Sequence, residues 1–70
     1  MDNEAFNMSL RKFLKKVGVT SQQEIEEAVR SARDSGKLGD GPLKARIVLT
    51  LDGVDLEHVV EGNIELTDSV

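Results

Sequence analysis

The chain has 70 residues, no cysteine and a formal net charge of −4. This length fits one domain, residues 1–70, which buries only about 60% of its unfolded surface. The lack of thiols excludes disulfides and thiolate metal sites, and the negative charge argues against non-specific nucleic-acid binding. No stretch approaches the roughly 18 apolar residues of a membrane span, and the acidic start is unlike a signal peptide. We therefore expect a soluble, cytoplasmic protein.

The first predicted element is an amphipathic helix over residues 3–17. Its apolar positions recur at helical period: Phe6, Leu10, Phe13, Leu14 and Val17. Asp2 or Asn3 can cap its start, and Gly18 is the expected left-handed stop.

A second helix is predicted over residues 22–35. Ser21 and Glu24 have the spacing of a capping box, and Gly36 ends the segment. Its apolar stripe is narrow and made mostly of small residues: Ile25, Ala28, Val29 and Ala32. A joint at residues 19–20 makes the two helices a helical hairpin.

Alternating apolar and polar residues then predict two strands, about 44–51 and 54–66, joined at Asp52-Gly53. A two-residue type I′ turn there sets the register by counting. In this register Ile47 faces His58 on one apolar face.

Three hypotheses describe the end of the chain. We prefer one long second strand with a bend or bulge at Gly62. A turn at Gly62-Asn63 gives instead a third strand at 63–67. The third hypothesis makes residues 55–59 a helical turn and pairs residues 63–66 with the first strand. In each case the class is α+β, with the helical hairpin packed on one face of a small antiparallel sheet.

Two runs carry a resemblance to a known family: NMSLRKFLKKVGVTSQQEIEEAVR (Asn7 to Arg30) and LTLDGVDLEHVVEGNIEL (Leu49 to Leu66). They resemble a family of small proteobacterial proteins known only as a domain of unknown function. The resemblance implies a whole small protein rather than a fragment, and it implies no activity, cofactor or catalytic residue.

The sequence contains few residues suited to catalysis or metal binding. His58 is the single histidine, and in the predicted register it lies in an apolar row with no convergent carboxylates, so we interpret it as a structural residue rather than a metal ligand or base. No serine has the context of a nucleophile. We expect no enzyme, no metal site and no cofactor.

A basic face on the first helix is the second candidate feature. It comprises Arg11, Lys12 and Lys15 with Lys16, and Met8 lies among them. An ordinary solvated face is the simpler interpretation, and contact with phosphates or an acidic partner is the functional one. Residues 6–35 also resemble a helix-turn-helix, but acidic residues at the start of the second helix would repel phosphates: Glu24, Glu26 and Glu27.

The predicted outer face of the sheet carries Val48 and Val59 without a cover. This favours a protein-interaction or structural module with an unknown protein partner, one version being a homodimer. Weak nucleic-acid binding through the basic helix face is the alternative. The candidate interaction surface is Met8, Arg11, Lys12, Lys15, Val48 and Val59.

Overall fold

The first element is one long helix. The computed structural model describes residues 1–66, and in it helix α1 spans Asn3–Asp34, a length of 32 residues. Two strands follow, β1 at Leu43–Thr50 and β2 at Glu57–Ile64. They pair antiparallel, so the α+β class is confirmed, with the element order α-β-β.

The start of α1 is capped by Asp2. Its side-chain oxygen accepts hydrogen bonds from the backbone N–H groups of Glu4, at 3.0 Å, and Ala5, at 3.3 Å. These bonds satisfy two of the N–H groups that a helix leaves free in its first turn. The Glu4 carboxylate lies in the same turn, where it interacts favourably with the positive end of the helix dipole.

The end of α1 is a Schellman motif. Gly36 has a φ of 74°, and its N–H donates to the carbonyl of Arg33 at 3.1 Å. The N–H of Lys37 donates to the carbonyl of Ala32 at 2.9 Å. This pair of bonds satisfies two carbonyls at the helix end, and it requires a left-handed residue that glycine adopts without steric cost. The predicted stop at Gly36 is confirmed.

The predicted helical hairpin is wrong, because α1 continues through residues 18–20 without a break. A glycine ends a helix when it takes a left-handed conformation, and Gly18 has no positive φ. It stays helical at a cost of about 1 kcal/mol relative to alanine. Thr20 donates its hydroxyl to the Lys16 carbonyl at 2.7 Å, so its side chain bonds within the helix and does not compete with it. The two predicted helices are halves of one element.

The two strands form a ladder with two distinct faces, because successive side chains of a strand point to opposite sides. The apolar face carries the pairs Leu43–Ile64, Ala45–Gly62, Ile47–Val60 and Leu49–His58. The mixed face carries the pairs Lys44–Asn63, Arg46–Glu61, Val48–Val59 and Thr50–Glu57.

The predicted register is wrong by two residues. We expected Ile47 to face His58, whereas Ile47 pairs with Val60 and His58 pairs with Leu49. A shift of two residues leaves every side chain on its predicted face, since side chains alternate with a period of two. The composition of the two faces was therefore predicted correctly, although the partners were not.

The turn between the strands explains the shift. The connection covers residues 51–56, and within it the Val54 N–H donates to the Leu51 carbonyl at 3.4 Å. Gly53 has a φ of 91°, while Asp52 has no positive φ. A type I′ turn needs positive φ at both central residues, and turns without its twist splay the strands. The ladder accordingly begins only outside this loop.

The second strand passes through Gly62, which pairs with Ala45 without a bulge. The preferred hypothesis of one strand is confirmed as far as Ile64, where β2 ends. The predicted turn at Gly62-Asn63 is wrong, because β2 continues through both residues. Residues 63–66 therefore form no separate third strand, and residue 67 of the predicted strand 63–67 lies outside the described residues. A helical turn over 55–59 is also wrong, because β2 begins within it.

The described residues divide into two compact units, Met1–Leu38 with the helix and residues 39–66 with the sheet. The single domain of residues 1–70 and the packing of the helical part on one face of the sheet stay predictions. Each unit presents surfaces of its own, and these are the candidate sites.

Candidate protein-interaction surfaces

Helix α1 carries an apolar stripe along nearly its whole length. Its members follow one another at spacings of three or four residues, an average of about 3.7, which is close to the helical period and keeps the stripe on one side of the helix. We call this row the helix stripe. It consists of seven apolar residues and one serine: Phe6, Leu10, Leu14, Val17, Ser21, Ile25, Ala28 and Ala32.

No residue of the helix stripe is buried; five of the eight are exposed, and Val17, Ser21 and Ala32 are half-buried. Phe6 is 47% exposed, Leu14 is 54% exposed, and Phe13 at the margin of the stripe is 50% exposed. Scattered apolar side chains on a surface are ordinary, whereas a contiguous apolar row marks a contact surface. The stripe is therefore the strongest candidate for a binding surface in the described part of the chain.

On two lines of the stripe the side chains become smaller from the N-terminal to the C-terminal end. The sequence repeats at an interval of 11 residues, in which Phe6 is followed by Val17 and then by Ala28. On the neighbouring line Leu10 is followed by Ser21 and then by Ala32. On the third line Leu14 is followed by Ile25, so the C-terminal half keeps one bulky side chain.

The predicted basic residues lie on the N-terminal half of the same helix. At about 100° per residue, Lys12 and Met8 fall on the side opposite the stripe and Lys16 lies near that side, whereas Arg11 flanks the stripe. Lys15 lies on the same flank as Arg11. Met8 is 67% exposed. None of these four basic side chains is in an ion pair within residues 1–66.

Acidic residues occupy the C-terminal half of α1. At the same angular spacing, Glu26 lies at the angle of Met8, on the side opposite the stripe, whereas Glu24 lies at the angle of Phe6, at the margin of the stripe. Glu27 lies between these two positions, about 110° from the centre of the stripe. Because residues 22–35 are not a separate helix, the resemblance to a helix-turn-helix does not hold. The basic and the acidic residues instead lie on the N-terminal and C-terminal halves of one helix.

The mixed face of the sheet brings two of the predicted surface residues together. Val48 pairs directly with Val59, and they are 46% and 40% exposed. Beside them the Glu61 carboxylate lies 3.7 Å from Arg46 Nε and 3.6 Å from Lys44 Nζ. Exposed ion pairs of this kind contribute little to stability. They lie on one side of the valine pair, and Thr50 and Glu57 lie on the other.

His58 lies on the apolar face of the sheet, as predicted, but opposite Leu49. His58 is exposed within the described residues, and its predicted partner Ile47 pairs with Val60 instead. Its role as a structural residue stays a prediction.

The described residues hold neither a cluster of metal-binding side chains nor a membrane-spanning helix. Within residues 1–66 no group of three His, Asp or Glu side chains is placed to hold a metal ion. In the same part of the chain, no helix combines the length and the apolar character that crossing a membrane requires.

These elements define an α+β protein with a long amphipathic helix and a two-stranded antiparallel sheet. The chain belongs to the family described as Family of unknown function (DUF6494), and the model of this family matches residues 1–67. The predicted resemblance to a small domain-of-unknown-function family is thereby confirmed. No curated protein and no solved structure matches the chain.

The sequence analysis missed the helix stripe as a single surface. The repeat at an interval of 11 residues is present in the sequence, but the predicted stop at Gly18 divided it into two short stripes. Comparing Phe6 with Val17 and Ala28 would have revealed it.

Proposed function

We propose that this chain is a protein-interaction module whose contact surface is the helix stripe. The observation that carries the proposal is the unbroken helix of 32 residues with an exposed apolar row from Phe6 to Ala32. Helices in water are stabilised mainly by packing an amphipathic face against another surface. A stripe of this length therefore needs a surface to cover it.

The length of the stripe favours a partner outside the chain. From Phe6 to Ala32 it extends about 39 Å, at a rise of 1.5 Å per residue. The strands β1 and β2 have eight residues each, so the sheet is about 26 Å long. A surface longer than the sheet is required to cover the stripe from end to end.

The predicted surface of Met8, Arg11, Lys12, Lys15, Val48 and Val59 is secondary in this proposal. Arg11 contributes as a charged margin of the stripe, while Met8 and Lys12 lie on the opposite side of the helix. Weak nucleic-acid binding through the basic residues is the alternative, supported by the absence of ion pairs at these side chains within residues 1–66. We also propose that the protein resides in the bacterial cytoplasm.

Site-specific photo-cross-linking in cells tests the function. A photoreactive residue is placed at Leu14 or Ile25, within the stripe, and as matched controls at Lys12 or Arg30, about 180° away on the same helix. We expect discrete protein adducts from Leu14 and Ile25 and none from the controls.

The same experiment separates the alternative. A nuclease-sensitive adduct from Lys12 would favour nucleic-acid binding. Equal adducts on both sides of the helix, or none from the stripe, would contradict the proposed function.

A further inference from the structure

We propose that Asp40 is a site of spontaneous isoaspartate formation, and that the fold protects the second Asp-Gly pair of the chain, Asp52-Gly53, from the same reaction. Asp40 and Asp52 are the two aspartates of the chain that precede a glycine. Asp40-Gly41 lies in the connection between α1 and β1, whereas Asp52-Gly53 lies in the connection between the strands. The chain therefore carries one reactive dipeptide in two different environments.

The reaction consumes no reagent other than water. The backbone nitrogen of Gly41 attacks Cγ of the protonated Asp40 carboxyl group, the nitrogen loses its proton, and the carboxyl group loses its hydroxyl as water. The product is a cyclic succinimide, to which water then adds at either ring carbonyl. Addition at the former main-chain carbonyl breaks its bond to nitrogen, frees an α-carboxylate and leaves the chain continuous through Cγ. One water leaves and one enters, so the mass is unchanged.

Glycine on the C-terminal side favours this ring closure. Every other residue places a Cβ beside the attacking nitrogen, whereas glycine has none and gives the peptide group more freedom to rotate. The ring closes only when rotation about the bond between Cα and the carbonyl carbon of the aspartate brings that nitrogen to Cγ. The local backbone must therefore be free to rotate at the aspartate that reacts.

The backbone around Asp40 has that freedom. Asp40 and Gly41 are exposed. The last hydrogen bond of the helix end is donated by the Lys37 N–H, and the ladder begins at Leu43. Within residues 1–66, no backbone N–H or carbonyl of residues 38–42 is in a hydrogen bond to another backbone group. A segment without such bonds changes conformation at little cost in free energy.

The backbone around Asp52 is held by a turn. The Val54 N–H donates to the Leu51 carbonyl at 3.4 Å, which closes the chain around Asp52. The two strands meet just outside this loop, where Thr50 pairs with Glu57. Asp52 is as exposed to water as Asp40, so exposure does not distinguish them. Ring closure at Asp52 first requires the turn to open, and the paired strands oppose that opening.

Isoaspartate at position 40 changes the connection between the helix and the sheet. The β-carbon of the residue becomes part of the main chain, which lengthens the connection, and an α-carboxylate becomes free. Isoaspartate methyltransferases esterify this carboxylate with the methyl group of S-adenosylmethionine. A chain that has reacted at Asp40 is therefore a substrate for this class of enzyme.

Ageing of the full chain in water enriched in heavy oxygen tests the proposal. The protein is kept at neutral pH and physiological temperature, digested with trypsin in ordinary water, and its peptides are separated and weighed. Cleavage after lysine and arginine places Asp40 and Asp52 in different peptides. Each passage through the succinimide adds one heavy oxygen. We expect the Asp40 peptide to become labelled and to separate into two peaks several times faster than the Asp52 peptide.

The matched variant is Gly41→Ala. Gly41 has no positive φ, and no atom lies within 4 Å of the position that its Cβ would occupy, so alanine fits the loop without strain. We expect Gly41→Ala to lose most of the isoaspartate at position 40 and to keep the rate at position 52. Gly53 offers no such variant, because alanine is strained at its φ of 91°.

A second measurement separates the fold from the dipeptide. In denaturant both pairs belong to an unfolded chain, so their rates are expected to become similar, mainly through an increase at Asp52. An Asp40 peptide that stays unlabelled in the folded protein would overturn the inference. Equal rates at the two positions of the folded chain, or a faster reaction at Asp52, would overturn it as well.

Discussion

Gly18 and Gly36 belong to the same helix and have opposite effects on it. Gly36 takes a φ of 74° and closes the Schellman motif, whereas Gly18 remains helical in the interior. The sequence shows only that both are glycines after an apolar stripe. The difference arises because Gly36 is followed by a loop, while Gly18 is followed by residues that continue the stripe. A left-handed residue at position 18 would break that continuity.

The same substitution should therefore change stability in opposite directions at the two glycines. Gly18→Ala is expected to raise the free energy of unfolding by about 0.5–1 kcal/mol, because a Cβ there meets open space. Gly36→Ala is expected to lower it by about 1 kcal/mol, because alanine is strained at positive φ. Chemical unfolding followed by far-ultraviolet circular dichroism measures both. A destabilised Gly18→Ala protein would indicate that position 18 is not helical.

At the scale of elements, the sequence predicted correctly those features that depend on residues close together in the chain. The cap at Asp2, the stop at Gly36 and the faces of both strands were correct, because caps and alternation depend on neighbouring residues. The register failed because it depended on one dihedral angle, the φ of Asp52, which the pair Asp52-Gly53 does not determine. The helix was divided for a similar reason at Gly18.

A proline at Val19 distinguishes one helix from two. In a continuous helix Val19→Pro removes a backbone hydrogen bond and clashes with the preceding turn, at a cost of about 3 kcal/mol or more. In the predicted hairpin, position 19 lies in the joint, where proline is tolerated. We expect a marked loss of helical circular dichroism in Val19→Pro, with Val19→Ala as the control that retains it. Equal spectra for the two variants would support the predicted helical hairpin instead of one continuous helix.

At the scale of the whole molecule, neither the helix nor the strands contain a buried residue of their own. A two-stranded hairpin is marginally stable in isolation, and an isolated helix depends on covering its apolar face. The sequence alone identified the apolar residues of this surface but divided them between two helices. The row from Phe6 to Ala32 is recognisable as one surface only when both halves lie on one helix.

If a second copy covers the stripe, stability must depend on protein concentration. Unfolding of a dimer releases two chains, so a tenfold increase in concentration stabilises the folded pair by about 1.4 kcal/mol. The midpoint of thermal unfolding is expected to rise by about 5 °C for each tenfold increase. Circular dichroism in cells of different path length, over a hundredfold range, measures this.

The control for that series is Leu14→Lys, which places a charge within the stripe. Its midpoint is expected to be lower and independent of concentration, because a buried unpaired ammonium group opposes the contact. A wild-type midpoint that stays constant over the range would contradict a second copy as the cover of the stripe.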